Sequence, residues 1–296
     1  MAAIDRRERA RGAIQTLAAE LNLPTELTIL SERWNTVARL GDSPVIAKAA
    51  TLANLCRLDP RHRFDLEARV CADLAANGAP VHVPWNGSRS AYLRNGLPIT
   101  LWQRIDGEPA GSSAEELVDS LAELHRLSRS VVLDQPWFAT ITVEIPVTLA
   151  MLGERGLLDA TAVAKLTNYL HRSLDIVVAA NLPEGLVHGD AQRKNAMRTQ
   201  TGTTWIDLEE TCRGPLAWDI ACLTMNPIFD AEALLDRYAD ISGTERVSSF
   251  HLGVLQRLRA LEGVVWMLAI QDEREPAFRQ EASSQLARIL QTASDG

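Results

Sequence analysis

Residues 185–219 read GLVHGDAQRKNAMRTQTGTTWIDLEETCRGPLAWD, and the order of polar residues in this stretch decides the fold. Asp190 and Asn195 are separated by four residues after a His-Gly pair, and Asp207 follows at the end of a short β-like run, TTWID. A hairpin over Ala196 to Asp207, turning at Thr201-Gly202, brings the second carboxylate back beside the first. That spacing suits metal-assisted phosphoryl transfer, in which one carboxylate orients and finally accepts a hydroxyl proton while hard oxygen ligands hold magnesium near a triphosphate. His188 is better suited to bracing this loop than to exchanging protons. Taken singly, each piece has a plainer reading: His-Gly-Asp is a common turn, and IDLEE is a strand end running into a solvated acidic face.

Upstream, residues 26–50 carry three short β-like runs joined by a loop at Ser31 to Asn35 and a turn at Gly41 to Pro44. The third run, PVIAKAA, holds a lone lysine, Lys48. In isolation a strand lysine is most often an exposed edge charge. Here Glu67 follows nineteen residues later in a helical segment, HRFDLEARVCADLAANG, that ends at a capping glycine, Gly78. A strand lysine held by a helix glutamate is the arrangement that sets an ammonium on the α- and β-phosphates in kinases.

The set HGDAQRKN, WIDLEE and GPLAWDIA resembles the aminoglycoside phosphotransferase and choline kinase group of kinase-like small-molecule phosphotransferases. The resemblance implies an α+β, bilobal protein-kinase-like fold. Its small N-terminal antiparallel-sheet lobe, residues 1–106, binds nucleotide; its mainly helical C-terminal lobe, residues 107–296, carries the catalytic loop and acceptor site. It further implies that Asp190 is the catalytic base, that Asn195 and Asp207 hold Mg²⁺, and that Trp218-Asp219 open a helix whose Asp219 braces the loop. The hinge strand implied for adenine, through backbone groups, is Gln103, Arg104 and Ile105. One departure is evident. The loop expected over the phosphates, Ser31-Glu32-Arg33-Trp34-Asn35-Thr36, has no glycine, although kinases use glycine there for close backbone approach. Ser31 and Asn35 can offer side-chain hydrogen bonds instead. Between base and metal ligand, either Arg193 or Lys194 is expected to steady the transferring phosphoryl group.

The 296 residues suffice for one large or two modest domains with a buried core. Hydrophobic residues make up 46% and charged residues 23%, ordinary for a globular chain. No apolar run approaches the ~20 residues of a membrane span, and the N-terminal stretch MAAIDRRERARGAIQTLAAEL reads as a charged amphipathic helix without a signal-peptide core. A cytoplasmic protein is expected. Cys56, Cys71, Cys212 and Cys222 lack CxxC spacing and read as reduced thiols. A net charge of -8 argues against nucleic acid as a partner and is compatible with a cationic substrate.

Past the helix, APVHVPWNG and PITLWQRIDGEPA read as two more strands, and the pattern then turns helical. Ser112 or Ser113 caps a helix with Leu117, Leu121, Leu124 and Leu127 on one face. A loop with Pro136 and Pro146 leads to a helix over 160–180. Three helical stretches follow Asp219, and PAFRQEASSQLARILQTA forms a terminal one. His125 and His171 read as surface or core-satisfied histidines. Acidic candidates for an amine-bearing acceptor are Glu209, Glu210, Glu262, Asp272, Glu273 and Glu275, although the run QDEREP reads equally as a solvated helix end. The expected activity is transfer of the γ-phosphoryl group of ATP, or of GTP, to a small-molecule hydroxyl with Mg²⁺. A catalytically silent nucleotide-binding module and a protein kinase are the alternatives; the absence of DFG and APE segments counts against the latter.

Overall fold

The computed structural model describes residues 3–55 and 57–295, with side chains described for 6–55 and 57–293; Cys56 lies outside the described residues. By its contacts the chain divides into two compact units, Met1–Gly111 with Asn195–Glu210, and Ser112–Lys194 with Thr211–Gly296.

The first unit opens with α1 (Ala3–Glu20) and the strands β1 (Leu27–Glu32), β2 (Asn35–Leu40) and β3 (Val45–Ala50). Helix α2 (Pro60–Ala76) follows, then β4 (Tyr92–Arg94), β5 (Leu97–Gln103) and β6 (Glu108–Pro109). The antiparallel sheet runs in the order β1-β2-β3-β5-β4. Alternation along a strand decides its two faces. Val45, Ala47 and Ala49 of β3 and Leu97, Ile99 and Leu101 of β5 pack on Ala10, Ala13, Ile14, Leu17 and Ala18, the apolar stripe of α1. Lys48 and Ala50 therefore point to the opposite face, where Ala50 clusters with Phe64 of α2. Asp59 caps α2 by accepting from the His62 N–H at 2.9 Å, and Pro60 occupies its first turn.

The segment 79–87, expected as a strand, makes only isolated bridges, at Val81 to Trp205 and Pro84 to Trp102. The missing strand is β4, paired with β5 across Asn95-Gly96. Both turn residues have positive φ, 51° and 71°, which is what a two-residue hairpin requires. The loop between β1 and β2 is shorter than Ser31–Thr36: Glu32 already pairs with Thr36, leaving Arg33-Trp34 as the connection.

The second unit contains α3 (Ala114–Leu127), α4 (Ile145–Glu154), α5 (Ala160–Ala179) and β7 (Glu184–Val187). Ser113 and Glu116 form a reciprocal capping box on α3. The stretch around Pro146, expected as loop, is helical: a π turn over Thr140–Glu144 runs into α4, and the proline sits in the first turn of α4, where its fixed φ suits a helix.

The chain then builds β8 (Ala196–Thr199) and β9 (Gly202–Trp205), the hairpin expected before Asp207. Whereas the sequence division kept this hairpin with residues 107–296, its contacts group it with the first unit. There β8 pairs with β6, and the His82 N–H donates to the Trp205 carbonyl at 2.8 Å. Back in the second unit, β10 (Cys212–Pro215) pairs antiparallel with β7. The helices α6 (Ala217–Thr224), α7 (Ala231–Ser242), α8 (Ser249–Ile270) and α9 (Pro276–Asp295) complete it. Helix α8 packs against α4, α5, α6 and α9, and its Leu255, Leu258, Leu261 and Val265 are fully buried. Cys71, Cys212 and Cys222 are buried and form no disulfide among the described residues. Among the described residues no helix is long and apolar enough to cross a membrane.

Leu17 is 1% exposed beneath the sheet that carries Lys48. Leu17→Ala is expected to destabilise the first unit by roughly 2–5 kcal/mol, the cost of a buried cavity. Urea unfolding followed by near-UV signal measures it.

Candidate active site

In the first unit the alternation of β3 delivers a lysine into a nearly closed position. The Lys48 side chain is 8% exposed, and its Nζ lies 2.9 Å from Glu67 Oε2, 2.5 Å from Asp207 Oδ1 and 3.0 Å from Glu209 Oε2. It also stands over the Phe64 ring, 5.2 Å from the centroid. Burial alone pulls the ammonium down, but the charges of Asp207, Glu209 and Glu67 outweigh it and hold Lys48 well above the ordinary lysine range.

Three carboxylates face one ammonium, so negative charge is in excess. Burial, reinforced by Asp207 and Glu209 and opposed by Lys48, pushes Glu67 up to about 8. Asn35 Nδ2 donates to Glu209 Oε2 at 2.8 Å. Arg57 pairs with Glu210 and lies 3.5 Å from Glu209 Oε1. Glu67, Asp207 and Glu209 offer ligand oxygens that all lie within 4.8 Å of one another. This surplus of hard oxygens fits a divalent cation such as Mg²⁺. Asp207 itself is half-exposed, with φ of 63°. A left-handed conformation at a non-glycine residue costs roughly 1–3 kcal/mol and is concentrated at functional positions. Asn195 is buried in the same unit, its carbonyl accepting from the Ile206 N–H at 2.9 Å.

The expected hinge stretch is partly spent on its own unit. The Gln103 N–H donates to the Val83 carbonyl at 2.9 Å, and the Arg104 N–H to the Pro44 carbonyl at 2.8 Å. The Gln103 carbonyl accepts from His82 Nε2 at 2.6 Å, with the His82 ring stacked on Trp102. Burial holds His82 down at about 4, so it is neutral and donates through Nε2. Ile105 follows β5, and Arg104 pairs with Asp106 at 3.2 Å. Ser31 lies within β1 beside the irregularity between Ile29 and Ser31.

In the second unit the loop after β7 is held from α6. Asp219, fully buried, accepts the His188 N–H through Oδ2 at 2.7 Å and the Gly189 N–H through Oδ1 at 3.0 Å. Trp218 Nε1 donates to the Gly189 carbonyl at 2.8 Å. Gly189 has φ of 91°, a conformation open to glycine alone among common residues. His188 Nδ1 accepts the Asp190 N–H at 3.2 Å. Behind Asp219 stands His125, with Nε2 2.9 Å from Asp219 Oδ2 and Nδ1 2.7 Å from the Tyr238 hydroxyl. His125 is thus core-satisfied, whereas His171 is exposed.

Asp190 Oδ1 accepts from Gln192 Nε2 and from Arg259 Nη2, each at 2.5 Å. Lys194, 55% exposed, places Nζ 3.7 Å from Oδ2. Burial raises the Asp190 carboxyl, but Arg259, Lys194 and His188 together hold it well below the usual carboxylate range. Arg193 is half-buried on the same loop. Sequence reasoning missed Arg259. Its only signal was a charged i, i+3 pair, Arg259 and Glu262, in a largely apolar helix that also carries Gln256 and Arg257. Asp272 is paired with Arg155 at 3.2 Å on the turn after α8, which also carries Glu273. A cavity of about 760 Å³ in this unit is lined by His125, Arg129, Glu184, Arg213 and Tyr238, and by no residue of 188–195.

A family model described as the phosphotransferase enzyme family matches residues 35–260. No curated protein sequence matches the chain. Among solved structures the chain is similar to a choline/ethanolamine kinase family protein from Mesorhizobium loti, at 16% identity and TM-score 0.67 over 98% of this chain and 95% of that one. It is similar also to the amicoumacin kinase hAmiN in complex with AMP-PNP, Ca²⁺ and Ami, at 14% identity and TM-score 0.70 over 97% and 94%. A third is the choline kinase LicA from Streptococcus pneumoniae, at 18% identity and TM-score 0.65 over 93% and 98%. At these identities the likeness establishes the fold: an antiparallel-sheet unit and a mainly helical one, as in kinases.

The raised value of Glu67 has a sign. A carboxyl lifted on folding contributes stability that is complete below the ordinary carboxylate range and is lost as pH rises through about 8. The melting temperature of the nucleotide-free protein is expected to fall between pH 6 and 9, and Glu67→Gln to flatten that slope. Superimposable slopes in parent and variant would contradict it.

Proposed function

The chain belongs to the phosphotransferase enzyme family, and from that premise we propose that it is a kinase moving the γ-phosphoryl group of ATP to a hydroxyl of a small, amine-bearing molecule. The observation that carries this reading is the Lys48 ammonium held between Glu67 and Asp207. A lysine so placed meets the α- and β-phosphates while Glu67 fixes its position. Residues 1–106 supply the nucleotide site in this reading. Adenine is recognised by the end of the Gln103–Ile105 stretch, and Asn35 and Ser31 lie toward the phosphates.

Asp190 is the base. Its carboxylate orients the acceptor hydroxyl as the oxygen attacks the γ-phosphorus. The bond from that phosphorus to the β–γ bridging oxygen breaks, ADP carries the electron pair away, and the hydroxyl proton ends on Asp190. A carboxylate held this acidic takes the proton late, which agrees with a loose transition state that needs alignment more than deprotonation. Asn195 and Asp207 would hold Mg²⁺, which would supply charge neutralisation to the triphosphate. Lys194 or Arg193 steadies the moving group. Asp219 and His188 keep the loop rigid.

The amine-bearing acceptor is supported by what the similar structures are named for, choline and amicoumacin. Glu209, Glu210 and Asp272 already hold Lys48, Arg57 and Arg155. An acceptor ammonium would have to displace those cations, so we assign Glu209 to supporting Lys48 and Glu210 to holding Arg57. The silent-module reading is favoured only by the short, glycine-free turn at Arg33-Trp34.

The test is ATP turnover with Mg²⁺ across choline, amino alcohols, amino sugars, aminoglycosides and homoserine. Asp190→Asn is expected to lower kcat about 10²–10⁴-fold, the usual worth of a general base, with nucleotide affinity kept. Lys48→Ala should weaken productive nucleotide binding. Turnover by Asp190→Asn equal to the parent rules out the base; no turnover with any acceptor despite nucleotide binding favours the silent module.

A further inference from the structure

Resting on the reading of Asp190 as base, we propose that Arg259 is a positioning residue for phosphoryl transfer: reaching from α8, it fixes the direction in which the Asp190 carboxylate meets the acceptor hydroxyl.

Arg259 lies 69 positions from Asp190 in sequence, yet its Nη2 donates to Asp190 Oδ1 at 2.5 Å. The other terminal nitrogen, Nη1, donates to Glu262 Oε2 at 3.0 Å, one helical turn further along α8. Glu262 is 2% exposed and accepts in addition from Trp266 Nε1 at 3.4 Å. Asp190, Arg259, Glu262 and Trp266 thus form one chain of contacts. The last three are carried by a helix whose neighbouring residues are fully buried leucines and valines.

That environment makes the guanidinium rigid. Arg259 is 14% exposed, and a planar fork with both ends engaged holds a carboxylate in one plane far better than a flexible ammonium does. Gln192 Nε2 reaches the same oxygen from the loop. Two donors converging on Oδ1 fix the rotation of the carboxyl group, and hence where Oδ2 points.

As a purely stabilising element the pair would be a poor choice. Arg259 Nε is buried with no hydrogen-bond partner among the described residues, which costs stability. Buried ion pairs of this kind are commonly no better for stability than apolar residues of the same volume. A guanidinium retained against that cost, on the one carboxylate whose orientation the reaction needs, is explained by alignment.

The experiment compares steady-state kinetics of the full-length parent with Arg259→Ala, Arg259→Lys and Arg259→Ala/Glu262→Gln, using the best acceptor found for the parent. Melting curves are recorded for each. The double variant removes the glutamate charge that the single variant would strand, so a folded protein is tested in at least one background. Arg259→Ala is expected to lower kcat about 10–100-fold, the scale of a misaligned reacting group, with KM for nucleotide unchanged. Arg259→Lys is expected to recover only part of the loss. Millimolar guanidinium, below denaturing concentrations, should restore turnover to the alanine variants, whereas methylammonium at equal concentration should not.

The proposal is overturned by parent-like kcat in a folded alanine variant. It is equally overturned by a kcat loss that guanidinium leaves untouched while the melting temperature falls in step, since that is the mark of a structural pair. Failure of the underlying reading looks different. Asp190→Asn would then turn over like the parent, whatever the Arg259 variants do.

Discussion

A buried ammonium surrounded by three carboxylates is the constraint on which the first unit depends. Charges of this kind are tolerated in low dielectric only when paired and hydrogen-bonded. Every element around Lys48 therefore has a fixed assignment. Strand β3 must keep its register, because a shift by one residue would send Lys48 into the α1 face. Helix α2 must present Glu67, and the β8–β9 hairpin must return Asp207 and Glu209 to the same place. The cluster is not charge-balanced by Lys48 alone, even with Arg57 beside Glu209 and Glu210. Three carboxylates therefore leave an excess of hard oxygens at one point of the unit.

The second unit meets a related demand with backbone donors. Asp219 accepts two consecutive main-chain N–H groups, those of His188 and Gly189, and so fixes the loop that ends in Asp190. His125 of α3 meets its Oδ2 as well, and is itself held by the Tyr238 hydroxyl of α7. A buried carboxylate with this many donors resists movement. The rigidity carries to Asp190, whose side chain is gripped separately by Gln192 and Arg259.

What the sequence made legible were the features with local spacing. The His188–Asp190 turn, the hairpin to Asp207, the lone Lys48 in a β run, Gly78 at the end of α2 and the serine cap of α3 all follow from residues a few positions apart. The strand β4 was missed even though Asn95-Gly96 is a strong hairpin signal, because the apolar run at 79–84 drew the strand assignment instead. Helix α4 was hidden by Pro146, which reads as a breaker until a π turn ahead of it supplies the helix start. Arg259 was beyond reach for a different reason. Its partner lies 69 residues away, and nothing local distinguishes a buried charged pair on α8 from a solvated one. The carboxylates Glu209 and Glu210 were legible as acidic; that they hold Lys48 and Arg57 depends on packing against α2.

The central proposal is that Lys48, Asp207 and Asn195 of the first unit bind one nucleotide triphosphate and its metal. A crystal structure with AMP-PNP and Mg²⁺ tests it most directly. The account predicts that Lys48 Nζ keeps Glu67 and moves from Asp207 to non-bridging phosphate oxygens, that Asn195 and Asp207 ligate the metal, and that Asp190 faces the γ-phosphate. A nucleotide bound away from Lys48, or a metal held without Asp207 while Lys48 stays locked among its three carboxylates, would contradict it.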